Sequence, residues 1–249
     1  MLKIDHLVVN VDPFIQEDRA FISSVQAAGL PYQPKWGKGT KGFKVSNIWI
    51  GSEYFELVRI KKPDGGGWVK DWTERYNNGH RGLVGLALDV EDIEASYRKI
   101  SGKEISITPP EPLRFRWFFN LLQRTMPWRN AYLTALQGVP LQIFLQQMKD
   151  EKSRSFMNQY MVPNSRDNAI NGIREVIIYG ELTDDDKRLL RALFDNCEEQ
   201  EDELTVRLQS QVIRFIKSAE HKTEVILQCD NQELADKTLQ LHNIHIRNG

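Results

Sequence analysis

LKIDHLVVNV, residues 2–11, is an apolar run that opens the chain and decides the fold. Similar runs recur at residues 83–90 and 173–179. Each run is typical of a strand and is followed by a helix pattern and then by further strand patterns. Recurrence of one such unit indicates a repeat architecture. The sequence therefore predicts an α+β protein built from βαβββ units.

The spacing of these restarts divides the chain. Two units, residues 1–62 and 81–148, are predicted to pair into one domain, residues 1–148. The polar segment 149–172 is the best linker candidate. Residues 173–249 are predicted to form a third, similar C-terminal unit. A helix pattern near residues 231–241 and a last strand at residues 244–246 suggest a fourth unit cut short.

Composition excludes several classes of function. The chain is 41% hydrophobic and 27% charged, with a formal net charge of -1. These values are typical of a soluble globular protein and favour neither nucleic acid nor membrane as a partner. The two cysteines are too few for a disulfide framework and lack metal-ligand spacing, so we expect buried, inert thiols in a cytoplasmic protein.

Short motifs resemble those of one superfamily. They are Ile4-Asp5-His6-Leu7-Val8-Val9, Phe55-Glu56-Leu57, the restart Leu83-Val84-Gly85-Leu86-Ala87-Leu88-Asp89-Val90 and the closing Pro140-Leu141-Gln142-Ile143. Together with the βαβββ order, they are similar to the vicinal oxygen chelate superfamily, of the glyoxalase/bleomycin resistance/dioxygenase type. The resemblance implies that paired units form a cup-shaped mixed sheet.

In this superfamily a metal ion can sit in the cup, held by the first and last strands of each unit. The resemblance places His6 and Glu56 at the two positions of unit one. In unit two it places Gly85, which cannot be a ligand, and Gln142, or Phe144 if the alignment shifts by one strand repeat. It thus implies one divalent ion, zinc, nickel, iron or manganese, on His6, Glu56 and Gln142, and no other cofactor. Because Gly85 removes a ligand, a metal-free cup is the alternative.

A ligand pocket is predicted between the first two units. Strand alternation puts Ile4, His6 and Val8 on one face, and Gly85 leaves space opposite His6. Tyr54 and Phe144, which lie on the last strands of the two units, are predicted to line this pocket. An insertion at residues 109–128 supplies the further candidate ligand-binding residues Arg114, Arg116 and Trp117. It is interpreted equally well as a lid over the cup or as a long edge hairpin.

In the third unit the resemblance places Glu175 where His6 stands and Glu224 where Glu56 stands. Ordinary surface ion pairing explains these two carboxylates better than a second site does. A third unit has no partner unit, so it is predicted either to self-associate, as in a homodimer, or to pair with the tail at residues 244–246.

Two function classes remain open. One is a metal-dependent lyase, isomerase or dioxygenase acting on a small molecule with vicinal oxygens. The other is a metal-free protein of the same fold that binds or sequesters a small molecule. The sequence leaves catalysis itself undecided, and it names no catalytic residue and no ligand.

Overall fold

The computed structural model describes residues 2–34, 39–117 and 122–249, without the side chains of residues 115–117 and 122–124. It contains two seven-stranded sheets. The strands are β1 (Leu2–Asn10), β2 (Phe43–Ile50), β3 (Glu53–Ile60), β4 (Gly82–Val90), β5 (Glu111–Trp117), β6 (Leu122–Tyr132), β7 (Gln142–Met148), β8 (Ile170–Gly180), β9 (Cys197–Glu199), β10 (Glu203–Arg207), β11 (Val212–Lys217), β12 (Lys222–Cys229), β13 (Thr238–Leu241) and β14 (Ile244–Asn248). The helices are α1 (Arg19–Ala27), α2 (Lys70–Asn77), α3 (Ile93–Ser101), α4 (Glu151–Tyr160) and α5 (Asp184–Leu193).

The first sheet has the strand order β2-β3-β1-β4-β7-β6-β5. Its two central strands, β1 and β4, are antiparallel, and each runs parallel to the last strand of its own unit, β3 or β7. Both central strands are covered on their two faces, which explains why their sequences are nearly continuous apolar runs. The cup-shaped sheet of repeated βαβββ units is confirmed.

The second sheet has the order β13-β14-β12-β8-β11-β10-β9. Strands β8 to β11 with α5 repeat the same unit, and β12 to β14 form a fourth unit that lacks a helix. The helix predicted near residues 231–241 is wrong, because β13 lies there with Leu239 and Leu241 buried and Thr238 and Gln240 exposed, a period of two. Strand β8 pairs with β12, which carries the tail strand β14. The tail alternative is therefore the one observed, and self-association stays a prediction.

Helix boundaries follow their caps. The apolar stripe from Phe14 predicts an earlier start for the first helix, but Asp18 caps α1 by accepting a hydrogen bond from the Ala20 N–H. Thr183 and Asp186 form a capping box at α5. The segment 149–172, the predicted linker, contains α4, which Asp150 caps.

The two sheets share one hydrophobic core and several buried polar contacts. The Glu53 carboxylate accepts the Ile173 N–H at 2.9 Å, and the Gln211 side chain accepts the Ile4 N–H at 2.7 Å. Because these contacts join backbone groups that would otherwise be buried without partners, they fix how the sheets meet. Within the described ranges, no helix is long and apolar enough to cross a membrane.

Candidate functional site

A β-bulge at Asp5 shapes the floor of the cup. Ile4 pairs with Leu88 and His6 pairs with Ala87, so Asp5 has no partner on β4. The extra residue shifts the alternation of side chains. The prediction that Ile4 shares a face with His6 and Val8 is therefore wrong, because Ile4 lies in the core between the sheets. Asp5 instead faces the cup, where its Oδ1 lies 2.5 Å from His6 Nδ1.

An aromatic row crosses the floor of the cup; its members are Trp49, Tyr54, His6, Phe144 and Tyr132. The His6 ring stacks on Tyr54 with centroids 4.4 Å apart and meets Phe144 edge-on at 5.4 Å. Trp49 extends the row beyond Tyr54, and Tyr132 extends it beyond Phe144. The predicted lining residues Tyr54 and Phe144 thus lie together in the cup, on either side of His6.

Strand register identifies the four positions that correspond to metal ligands. Glu56 lies beside Val8 on β1, and Phe144 lies beside Ala87, the residue on β4 that matches Val8. Phe144 rather than Gln142 is therefore the counterpart of Glu56. Gln142 lies beside Gly85, and its amide donates to the Leu133 carbonyl at 2.7 Å.

Helix α2 fills the space beside Gly85. A Cβ atom built on Gly85 would lie 2.8 Å from Trp72 Cζ2 and 3.1 Å from Val8 Cβ. The Trp72 indole is buried and also packs against Phe144, at 5.7 Å between centroids. The predicted opening opposite His6 is therefore wrong, because an indole from the connector between the first two units occupies it.

The donor set does not fit a metal ion. Of the four positions, only His6 and Glu56 carry ligand atoms, whereas catalytic sites for these ions usually use three protein ligands. The second unit supplies Gly85 and Phe144, which have none. Within the described residues no group of three or more His, Cys, Asp or Glu side chains is arranged to hold a metal. We therefore derive no chemistry through a metal.

Glu56 is an unusual carboxyl group. It makes no hydrogen bond or ion pair with any described residue, and burial raises its pKa, with His6 opposing and Asp5 adding to the shift. Burial likewise raises the pKa of Tyr54 well above its ordinary value, and the charges of Asp5 and Glu56 add to that effect. Both groups are therefore weaker acids than usual and hold their protons to higher pH.

An open space remains at the other end of the cup, under α4. This cavity, called the α4 cavity below, has a volume of about 90 Å³. Its wall combines polar and apolar side chains; they are Lys3, Asp5, Ser52, Tyr54, Trp128, Gln146, Met148, Arg154, Met157, Asn158 and Met161. Three of the five methionines of the chain line it.

Helix α4 covers this cavity, although none of the residues of the helix is itself buried. Arg154 attaches it to the cup through two hydrogen bonds to Asp89, from Nη1 to Oδ2 at 2.8 Å and from Nη2 to Oδ1 at 3.0 Å. Lys3 Nζ lies 3.6 Å from the same carboxylate. A bidentate pair of this kind is directional and stronger than an exposed ion pair.

The remaining predicted ligand-binding residues lie on the β5–β6 hairpin. Strand β5 is at the edge of the first sheet and pairs only with β6, as the hairpin interpretation expects. Arg114 is exposed and does not line the α4 cavity. The side chains of Arg116 and Trp117 lie outside the described part of the structure.

Sequence reasoning missed Asp5, Trp72, Gln146 and Arg154. Strand alternation assigned Asp5 to the opposite face, and the bulge that reverses this carries no glycine. Arg154 lies in the segment interpreted as a linker. Trp72 belongs to an aromatic helix pattern that is visible in the sequence, but nothing in that pattern indicates that it packs into the cup.

In the second sheet, the positions that match His6 and Glu56 hold charged side chains in ion pairs. Glu175 pairs with Arg214, Oε1 to Nε at 2.5 Å, and Glu224 contacts Lys222 at 3.1 Å. Glu224 lies on β12, the first strand of the fourth unit, so it corresponds to His6 rather than to Glu56. Arg214 on β11 takes the place of Glu56. These positions hold ion pairs between half-buried side chains.

Comparison with known proteins supports the fold. No family model and no curated protein matches the sequence. A hypothetical protein from Staphylococcus aureus is similar over 100% of this chain and 99% of its own, with a TM-score of 0.72 and 16% identity. The whole chain shares that fold.

Weaker similarities involve a part of the chain. Methylmalonyl-CoA epimerase of Streptomyces coelicolor, in complex with 2-nitronate-propionyl-CoA, matches 59% of this chain and 98% of its own at a TM-score of 0.42 and 15% identity. The Mycobacterium tuberculosis epimerase matches 60% and 90% at 0.41 and 12%. Similarity this low carries no inference about activity.

Proposed function

We propose that this protein binds a small molecule in the α4 cavity without the help of a metal ion. The observation that carries this proposal is the cavity itself, in which Tyr54, Trp128 and three methionines surround a few convergent polar groups. Such a lining is typical of small-molecule sites. Methionine side chains are unbranched and polarizable, so they adapt to the shape of a ligand.

The metal-dependent alternative has less support. It requires donors at the positions of Gly85 and Phe144, and the first of these is covered by Trp72. Tyr54 joins the aromatic row to the α4 cavity, since it belongs to the row and also lines the cavity. Tyr54 is the predicted ligand-binding residue that lines the cavity directly.

Binding can be tested with a library of planar heteroaromatic fragments by saturation-transfer NMR on the full chain. We expect several fragments to bind the native protein. Met157→Trp puts a bulky indole in place of a flexible side chain in the cavity wall and should abolish binding. Because α4 has no buried residues, the variant should still fold. Phe156→Trp changes the outer face of the same helix, where Phe156 is 59% exposed, and should leave binding unchanged. Equal binding to both variants, or none to the native chain, would contradict the proposal.

A further inference from the structure

Side chains of opposite charge reach the α4 cavity from different elements. Arg154 reaches it from α4, and Asp5 reaches it from the bulge in β1. The presence of Asp5 there is a consequence of the bulge, because regular alternation would turn this side chain toward the core. A ligand in the cavity therefore meets both a cationic group and an anionic group.

The cationic side holds more positive than negative charge. Arg154 and Lys3 both contact a single carboxylate, that of Asp89. The other ion pair of Arg154, to Glu151 at 3.9 Å, lies at the surface, where Glu151 is 82% exposed and water screens the charge. One cation of this group is thus available to an anionic partner within the cavity.

The anionic group of the cavity is Asp5, whose charge also acts on the Arg154 guanidinium. Both hydrogen-bond contacts of Asp5 involve Oδ1, with Gln146 Nε2 at 3.0 Å and His6 Nδ1 at 2.5 Å. Asp5 Oδ2 makes no hydrogen bond to a described residue. A partly buried carboxylate with a free oxygen is a good acceptor for an ammonium group.

Apolar side chains, namely Tyr54, Trp128, Met148, Met157 and Met161, form the rest of the wall together with the polar residues Ser52, Gln146 and Asn158. The whole cavity has a volume of about 90 Å³, which suits a compact ligand and not an extended one. Opposite charges held close together, with an apolar wall beside them, are the complement of a small zwitterion.

We propose that the α4 cavity takes a zwitterion of the α-amino-acid class. Its ammonium group binds Asp5, its carboxylate binds Arg154 and Lys3, and its apolar side chain packs against the methionines. This inference rests on the proposed function and names the chemical class of the ligand.

Three sets of probes test this ligand class on the full chain by saturation-transfer NMR titration. The first set is L-leucine, L-methionine and L-phenylalanine. The second set is the amides of these three amino acids, and the third set is their N-acetyl derivatives. The amides lose the carboxylate and the N-acetyl derivatives lose the ammonium group. We expect at least one free amino acid to bind, and both of its derivatives to bind about tenfold more weakly, as for the loss of one charge-assisted hydrogen bond.

Two variants assign the two ends. Asp5→Asn should remove the preference for the free amino acid over its N-acetyl derivative. Arg154→Met should remove the preference over the amide, and because the change also loosens α4, the ratio of the two affinities is the readout rather than either affinity alone. Lys99→Met breaks the exposed pair with Asp195 outside the cavity and should change no affinity.

Equal affinity of the free amino acid and its amide for the native protein would overturn the inference, as would the absence of binding by all three amino acids. If planar fragments still bind in either case, the proposed function stands and the ligand class alone fails. If neither kind of probe binds, both proposals fail.

Discussion

The Trp72 indole lies where any side chain on Gly85 would have to project, with Cζ2 only 2.8 Å from the position of a Cβ atom. Gly85 is the counterpart of His6 in the second unit. The first two units thus differ at the position that the superfamily resemblance assigns to a ligand. One unit presents an imidazole to the cup, and the other presents backbone covered by an indole.

Gly85→Ala should destabilise the protein by about 1 to 3 kcal/mol, because the new methyl group collides with a close-packed indole and with Val8. Urea unfolding measures this loss. In a Trp72→Phe background, Gly85→Ala should cost less than in the native protein, since the smaller ring leaves room for the methyl group. A fully additive double-mutant cycle would show that the two side chains do not meet.

Breaking the contact between Arg154 and Asp89 should loosen α4 without unfolding the sheets. The helix has no buried residue, so this pair is its main polar attachment to the cup. Arg154→Ala is expected to raise hydrogen exchange of the α4 amides about tenfold or more while β7 stays protected. Glu151→Ala, which removes a long surface contact of 3.9 Å, serves as the control and should change little.

Asp186 should be among the most important polar residues for stability. Its carboxylate accepts hydrogen bonds from the N–H groups of Gln137, Gly138 and Thr183, at 2.8, 2.9 and 2.9 Å, and so ties the second unit to α5. Asp186→Ala should cost about 2 to 4 kcal/mol through a lost cap and orphaned donors. Asp185→Ala, whose partner Arg188 is exposed, should cost much less in the same unfolding measurement.

Glu53 should make the protein less stable as pH rises. Burial between the sheets raises its folded-state pKa above the ordinary value of 4.5, despite hydrogen bonds from Ser52 and Ile173. Below the unfolded pKa the group is protonated in both states, and as pH rises through the folded pKa the folded state must accept a buried charge. Glu53→Gln should therefore reduce the loss of unfolding free energy as the pH rises above the ordinary value of 4.5. An identical pH profile in native and variant protein would contradict this assignment.

The sequence predicts the fold better than it predicts the site. Strand runs around Val8 and Leu86 are strong signals because both faces of these strands are buried. The site depends on features without a local signal. The bulge that turns Asp5 into the cup occupies an ordinary strand residue, and the packing of Trp72 over Gly85 joins segments whose contact is set by the tertiary fold. His6 and Glu56 lie on the same face of the first sheet, but their counterparts carry no ligand atoms.

Elemental analysis of the full chain, purified without a metal-affinity tag, tests most directly the claim that the cup works without a metal. Two donor side chains, His6 and Glu56, are too few for tight binding of zinc, nickel, iron or manganese. We predict that the protein contains none of these metals in stoichiometric amount and that His6→Ala does not change its metal content. One equivalent of metal in the native protein, lost in His6→Ala, would contradict the account.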